Sequence, residues 1–135
     1  MTAHPRPRRA QRLATALVAG LVVLAPAASH ACGACIEDKV AATYDHAVAM
    51  RAAARGDVMV YCEVAGAFDP QRLTQAVRRV RGIKADSVRI AAQPAALSFA
   101  LDPSRLSPEA AVAATQRGLA TGTRLTIVRR VEAPG

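Results

Sequence analysis

The sequence predicts an α+β fold in which an additional N-terminal helix precedes a βαββαβ unit that forms a four-stranded antiparallel sheet. Three observations lead to this prediction. An alanine-rich stretch without Gly or Pro carries one apolar stripe at helical spacing. Four stretches with strand-like composition follow, with two amphipathic stretches between them. Because the connections are short, two helices on one face of a sheet form the compact arrangement.

Residues 1–31 have the pattern of a cleavable signal peptide. Four arginines and no acidic residue accompany an apolar run from Leu13 to Ala25, and Ser29 and Ala31 place small side chains before Cys32. The run has 13 residues, fewer than the roughly 20 that span a bilayer. We therefore expect a periplasmic or secreted protein that begins at Cys32. Lipidation of Cys32 is the less favoured alternative, because Ser29 replaces the leucine usual in lipoprotein signals.

The chain that remains after signal removal has 104 residues, which suits a single domain with a modest core. It keeps 14 of the 18 basic residues and all 10 acidic residues, so its net charge is about +4. Only four aromatic residues are present and no motif combines them with basic residues. We therefore expect no nucleic-acid partner. We also expect no transmembrane span after signal removal.

Residues 32–56 are predicted to form a Cys-x-x-Cys segment and one continuous helix from Ile36 to Arg55. Acidic residues near the start of this helix and arginines near its end complement the helix dipole. Gly56 provides the stop.

Residues 57–131 are predicted to form the βαββαβ unit. The first strand runs from Asp57 to Ala65, with Cys62 on the same face as three valines. Asp69 and Pro70 provide the N-cap and first residue of a helix that Gly82 closes.

The second half of this unit begins with a predicted hairpin, whose strands contain residues 83–90 and 97–101. Ser107 then begins a helix. Leu125, Ile127 and Val131 indicate a last strand, and residues 132–135 are expected to form a frayed tail.

Three stretches of residues 57–131 match a known family. They are the valine-rich strand ending in Ala65-Gly66, the Gly82-Ile83 turn, and Leu101-Asp102-Pro103 leading to Ser107-Pro108-Glu109. In these stretches the chain resembles the heavy-metal-associated domain, a ferredoxin-like module of copper chaperones and metal-transporting ATPases. The resemblance implies a ferredoxin-like fold.

In this chain, the loop that corresponds to the family's metal-binding loop departs from the family pattern. Its G-M-x-C-x-x-C motif corresponds here to Gly66–Arg72, and Asp69 and Arg72 stand where the two cysteines should be. The resemblance therefore implies a degenerate domain, and the usual soft-metal site is missing from this loop.

The sequence Cys32-Gly33-Ala34-Cys35 is the candidate metal site. Two thiolates at this spacing suit a soft ion, with Cu(I) the first candidate. The adjoining helix start would stabilise the thiolate form. His46 lies 11 residues beyond Cys35, about 16 Å along a continuous helix at 1.5 Å per residue. We therefore expect His46 to lie outside this site.

Three functions stay open for the cysteine pair. It binds a metal for buffering or for transfer with a donor or acceptor protein, it cycles between dithiol and disulfide, or it forms a structural disulfide in a partner-binding module. Cys62 is either a third ligand, a resolving thiol or a small buried core residue. We find no catalytic triad, paired catalytic carboxylates or phosphate loop, so dithiol redox chemistry is the only enzymatic alternative.

Overall fold

A four-stranded antiparallel sheet separates two layers of helices. The computed structural model describes residues 32–134, with side chains from Ile36 onward, and the predicted signal peptide lies outside this part. The strands are β1 Val58–Ala65, β2 Arg89–Ala92, β3 Ala95–Leu101 and β4 Arg124–Val131, in the order β2-β3-β1-β4. The predicted α+β class with a four-stranded antiparallel sheet is confirmed.

The prediction of one continuous N-terminal helix is wrong. The chain forms α1, Cys32–Thr43, and α2, His46–Arg55, with a break at Tyr44 and Asp45. Asp45 is extended, and its carboxylate accepts a hydrogen bond from the Val48 backbone N–H. It therefore acts as the N-cap of a new helix. Gly56 ends α2 in the left-handed conformation, as expected.

The other two helices begin where the sequence predicts. They are α3, Pro70–Arg78, and α4, Pro108–Arg117. The side chains of Asp69 and Ser107 cap them, and a proline fills the first turn of each helix. The second strand is shorter than predicted, because Ile83 makes only an isolated bridge to Leu101 before the 3₁₀ turn Ala85–Ser87.

The larger hydrophobic core lies between the sheet and the α3–α4 layer. One face of β1 and β3 supplies alternate residues, including Val60, Cys62 and Phe99, and the helices contribute Leu73, Val77 and Ala111. The prediction that Cys62 shares a face with the valines of β1 is confirmed.

A second, smaller core lies on the opposite face of the sheet. Met59 and Tyr61 of β1 are buried there with Ala100 of β3, beneath Val48 and Ala52 of α2. Val40 of α1 also packs against this cluster. The N-terminal helices therefore cover the second face of the sheet and do not project from it.

An irregularity in β4 changes the face on which its residues lie. Tyr61 pairs with Arg129 while the next residue, Cys62, pairs with Ile127, so one residue of β4 is extra. Val131 consequently pairs with Met59 instead of continuing the alternation from Ile127. Among residues 32–134, no helix combines the length and apolarity needed to cross a membrane.

Candidate functional site

The predicted cysteine pair lies in the first turn of α1, which begins at Cys32. The side chains of Cys32 and Cys35 precede Ile36, so the predicted metal site lies outside the side chains that the structure describes. Because helices leave their first backbone N–H groups unpaired, this backbone position suits a thiolate.

Two ion pairs fix α1 to the sheet. The Lys39 ammonium lies 2.8 Å from a Glu63 carboxylate oxygen on β1. The Arg129 guanidinium of β4 donates two hydrogen bonds to the Glu37 carboxylate, one of them 3.1 Å long. These hydrogen bonds lower the pKa of Glu37 and raise that of Arg129. The helix that begins at Cys32 is therefore joined by ion pairs to two neighbouring strands of the sheet, β1 and β4.

The junction between α1 and α2 is held by polar contacts. The buried Ser98 hydroxyl of β3 donates a 3.0 Å hydrogen bond to the Thr43 carbonyl, at the end of α1. Asp45 Oδ2 accepts bonds of 3.0 and 2.9 Å from Nε and Nη2 of Arg89. Asp45 therefore has a structural function in this junction. This function of Asp45 was not predicted, although an Asp immediately before a helical apolar pattern is a capping signal.

His46 is exposed at the start of α2, and its Nδ1 lies 3.2 Å from the Tyr44 hydroxyl. Its predicted distance from Cys35 assumed one continuous helix. The break at Tyr44 and Asp45 removes that assumption.

Cys62 lies in the core beneath α3 and α4, on the sheet face opposite α1. It is 1% exposed, and burial raises the pKa of its thiol to about 12. A thiol in this state is protonated near neutral pH and is a poor ligand or nucleophile. This placement favours the structural alternative for Cys62 over a third ligand or a resolving thiol.

Two side chains, those of Asp69 and Thr123, hold the loop from Gly66 to Arg72 through hydrogen bonds to its backbone. Asp69 Oδ1 accepts hydrogen bonds from the backbone N–H groups of Gln71, at 2.8 Å, and Arg72, at 3.4 Å. The Thr123 hydroxyl donates a 2.7 Å bond to the Ala67 carbonyl. The carboxylate of Asp69 therefore caps α3.

Metal ligands do not cluster elsewhere in the described part of the chain. Between Ile36 and Pro134, no group of three or more His, Cys, Asp or Glu side chains is arranged to hold a metal ion. Within that range, the residues that the sequence singled out, His46 and Cys62, are not brought together into one such group.

Comparison with known proteins gives no relative from which to assign a function. No family model matches the chain, and no curated protein and no solved structure is significantly similar to it.

Proposed function

We propose that this is an exported protein that binds a soft metal ion, with Cu(I) the first candidate, through Cys32 and Cys35. The observation that carries the proposal is the position of both cysteines in the first turn of α1. Residues three apart in a helix lie on the same side of it, so the spacing allows two thiolates to bind one ion. The ion would be buffered in the periplasm or passed by ligand exchange to a partner protein.

The attachment of α1 supports transfer through this segment. Lys39 and Glu37 bind the helix that begins at Cys32 to two neighbouring strands, β1 and β4. Charged groups on surface ion pairs are screened by salt. The apolar contact of Val40 with the second core supplies an attachment that salt does not weaken.

We further propose that residues 57–131 are a degenerate heavy-metal-associated module with a ferredoxin-like fold. The strand order read from its other edge, β4-β1-β3-β2, supports this proposal, as does the placement of α3 and α4 in one core on one face of the sheet. Since Asp69 caps α3 in the loop that would carry the family's cysteines, the proposed metal site is the N-terminal pair and not this loop.

The test is an anaerobic titration of reduced residues 32–135 with Cu(I) in competition with a chelator. We expect one-to-one binding that is lost when Cys32 and Cys35 are both changed to serine. The matched control is Cys62→Ala, which removes the third thiol and should leave Cu(I) affinity unchanged. Undiminished binding in the double serine variant would refute the proposal.

The redox alternative is tested on the same protein by the reduction potential of the Cys32–Cys35 pair. A potential below about −300 mV is typical of stable structural disulfides. A potential in the range of catalytic dithiols, together with no competitive Cu(I) binding, would assign the pair to thiol–disulfide exchange.

A further inference from the structure

A groove of about 570 Å³ runs between α3 and α4, on the side of the molecule opposite α1 and α2. The helices approach each other closely at one point, where a Cβ atom added to Gly118 would lie 3.5 Å from the Cβ atom of Ala76. Three arginines, Arg72, Arg79 and Arg81, line this space, and all three are exposed. We refer to it as the basic groove.

A second cavity extends the basic groove. It measures about 500 Å³, shares Arg72 and Gly118 with the first, and adds the half-buried apolar side chains of Phe68 and Leu119. The two adjoining cavities together combine guanidinium groups with small and apolar side chains. Their volumes, about 570 and 500 Å³, suit several side chains of a chain segment more than a single small ion.

Five arginines on this side of the described chain lack the carboxylate contacts that most of its other basic residues have. Eight of the fourteen basic residues between Ile36 and Pro134 lie within 4.0 Å of a carboxylate oxygen. Of the six without such a contact in this part of the chain, only Arg51 belongs to α2. The others lie on or next to α3 and α4: Arg78, Arg79, Arg81, Arg117 and Arg124.

The one ion pair inside the basic groove is weak. Arg72 Nε lies 4.0 Å from Asp69 Oδ2, and the Arg72 side chain is 83% exposed. The other carboxylate oxygen of Asp69 accepts the backbone bonds that cap α3. The positive charge of the groove therefore remains available to an external anion. A planar guanidinium binds carboxylates through paired hydrogen bonds, so a carboxylate is a suitable anion.

The distribution of exposed apolar residues favours a protein segment over a lipid bilayer. The large exposed apolar side chains of the described residues are Tyr44, Met50 and Val131, and all three line a separate groove between α2 and the end of β4. The basic groove has no comparable exposed side chain to insert between lipids. Peripheral membrane binding through charge alone is weak without such an anchor.

We propose that the basic groove binds an acidic segment of a partner protein, with carboxylates on Arg79 and Arg81 and an apolar side chain between α3 and α4. This interaction does not depend on the proposed metal site, because the groove lies on the other side of the sheet. It provides a docking surface that leaves the start of α1 uncovered.

The probe is a fluorescent 14-residue helical peptide with glutamates and leucines interspersed along one face, so that both can enter the groove, titrated into residues 32–135 at low ionic strength. Arg79→Glu and Arg81→Glu are compared with Arg51→Glu, which makes the same charge change at an exposed arginine of α2. We expect each groove variant to weaken binding about tenfold, as for the loss of a charge-assisted hydrogen bond. The Arg51→Glu variant should weaken it less than about twofold, and amide NMR shifts should map to α3 and α4.

Three results would overturn the proposal. The first is equal weakening by Arg51→Glu and the groove variants, and the second is equal binding of a peptide with glutamine at every glutamate. The third is binding to phosphatidylglycerol vesicles through Arg79 and Arg81 without binding to the peptide, which would assign the groove to membranes. Circular dichroism of each variant establishes that it is folded, and the two separate groove variants ensure that the comparison does not rest on one substitution.

Discussion

Asp45 connects α1, α2 and β2. It lies in the break between α1 and α2, caps α2 through the Val48 N–H, and pairs with Arg89 at the start of β2. The hydrogen bond from Val48 and then those from Arg89 lower the pKa of its carboxyl group. Its charge therefore stabilises the folded state wherever Asp45 is ionised.

We predict that Asp45→Asn reduces stability at neutral pH but not in strong acid. Asparagine caps helices about as well as aspartate does. The substitution therefore isolates the effect of the Asp45 charge, which pairs with Arg89. Because the folded-state pKa is depressed, the contribution is fully present above the unfolded-state value and is lost as pH falls through the lower folded-state value. Urea midpoints of both proteins, measured from pH 7 to pH 2, should converge below about pH 4. A constant difference over this range would contradict the prediction.

We predict that Cys62 resists alkylation in the folded protein at pH 8. Burial raises the pKa of this thiol to about 12, and only the thiolate reacts with iodoacetamide. Mass spectrometry of the reduced protein should find label on Cys32 and Cys35, and on Cys62 only after denaturation. Modification of native Cys62 at the rate of the other two would show that the core around β1 opens readily.

The turn after β1 requires glycine for a steric reason. Gly66 has a φ of +83°, and a Cβ atom at this position would lie 2.0 Å from the Gly122 carbonyl oxygen. Gly56, at the end of α2, has a φ of +72° but no atom within 4 Å of such a Cβ. These two glycines separate the cost of backbone conformation from the cost of a clash.

We predict that Gly66→Ala destabilises the protein by about 3 kcal/mol or more, since left-handed strain and overpacking add. The matched Gly56→Ala variant should lose only about 1–2 kcal/mol, from backbone strain alone. Urea unfolding of both variants provides the comparison. Similar losses would mean that the β1–α3 loop moves away from Gly122 without difficulty.

Helices whose starts are fixed by contacts between residues close in sequence could be predicted from the sequence. The starts of α3 and α4 follow from Asp69 and Ser107, which bond to backbone groups two or three residues away. The break before α2 was not predicted: the bond of Asp45 to the Val48 N–H is a local signal, but the bond from Arg89, 44 residues later, is not. The extra residue of β4 was missed for a similar reason, since it exists only in the register with β1.

The candidate sites were predictable to different degrees. The cysteine pair is evident because its spacing is local, although its side chains lie before the described range. The basic groove was not predicted from the sequence. Which arginines remain unpaired depends on contacts such as that of Arg129 with Glu37, 92 residues apart. No periodicity in the sequence reports such pairs.

The sheet is buried on both faces, by different parts of the chain. The α3–α4 layer belongs to the same βαββαβ unit as the strands, whereas α1 and α2 are added at the N-terminus. Met59 is 4% exposed and Tyr61 is 3% exposed beneath those helices. Residues 32–56 thus complete the fold in addition to carrying the cysteine pair.

We predict that a chain beginning at Asp57 loses at least about 3 kcal/mol of stability, because it leaves side chains such as Met59 exposed at about 1.5–3 kcal/mol each. It should also bind the dye ANS, which reports exposed apolar surface. The control is a chain beginning at Ile36, which keeps the helical cover and lacks only the cysteine pair. Equal urea midpoints and no ANS signal for the shorter chain would show that the second core is not required.

The extra residue in β4 also bears on self-association. This strand lies at the edge of the sheet and has eight residues, long enough to offer its outer backbone groups to a second chain. A bulge bends and twists an edge strand, and it lies here next to Arg129 and Arg130. The bulge therefore interrupts a flat, continuous template for intermolecular β-pairing partway along the strand. The same extra residue that places β4 side chains in both cores thus also opposes aggregation through this edge.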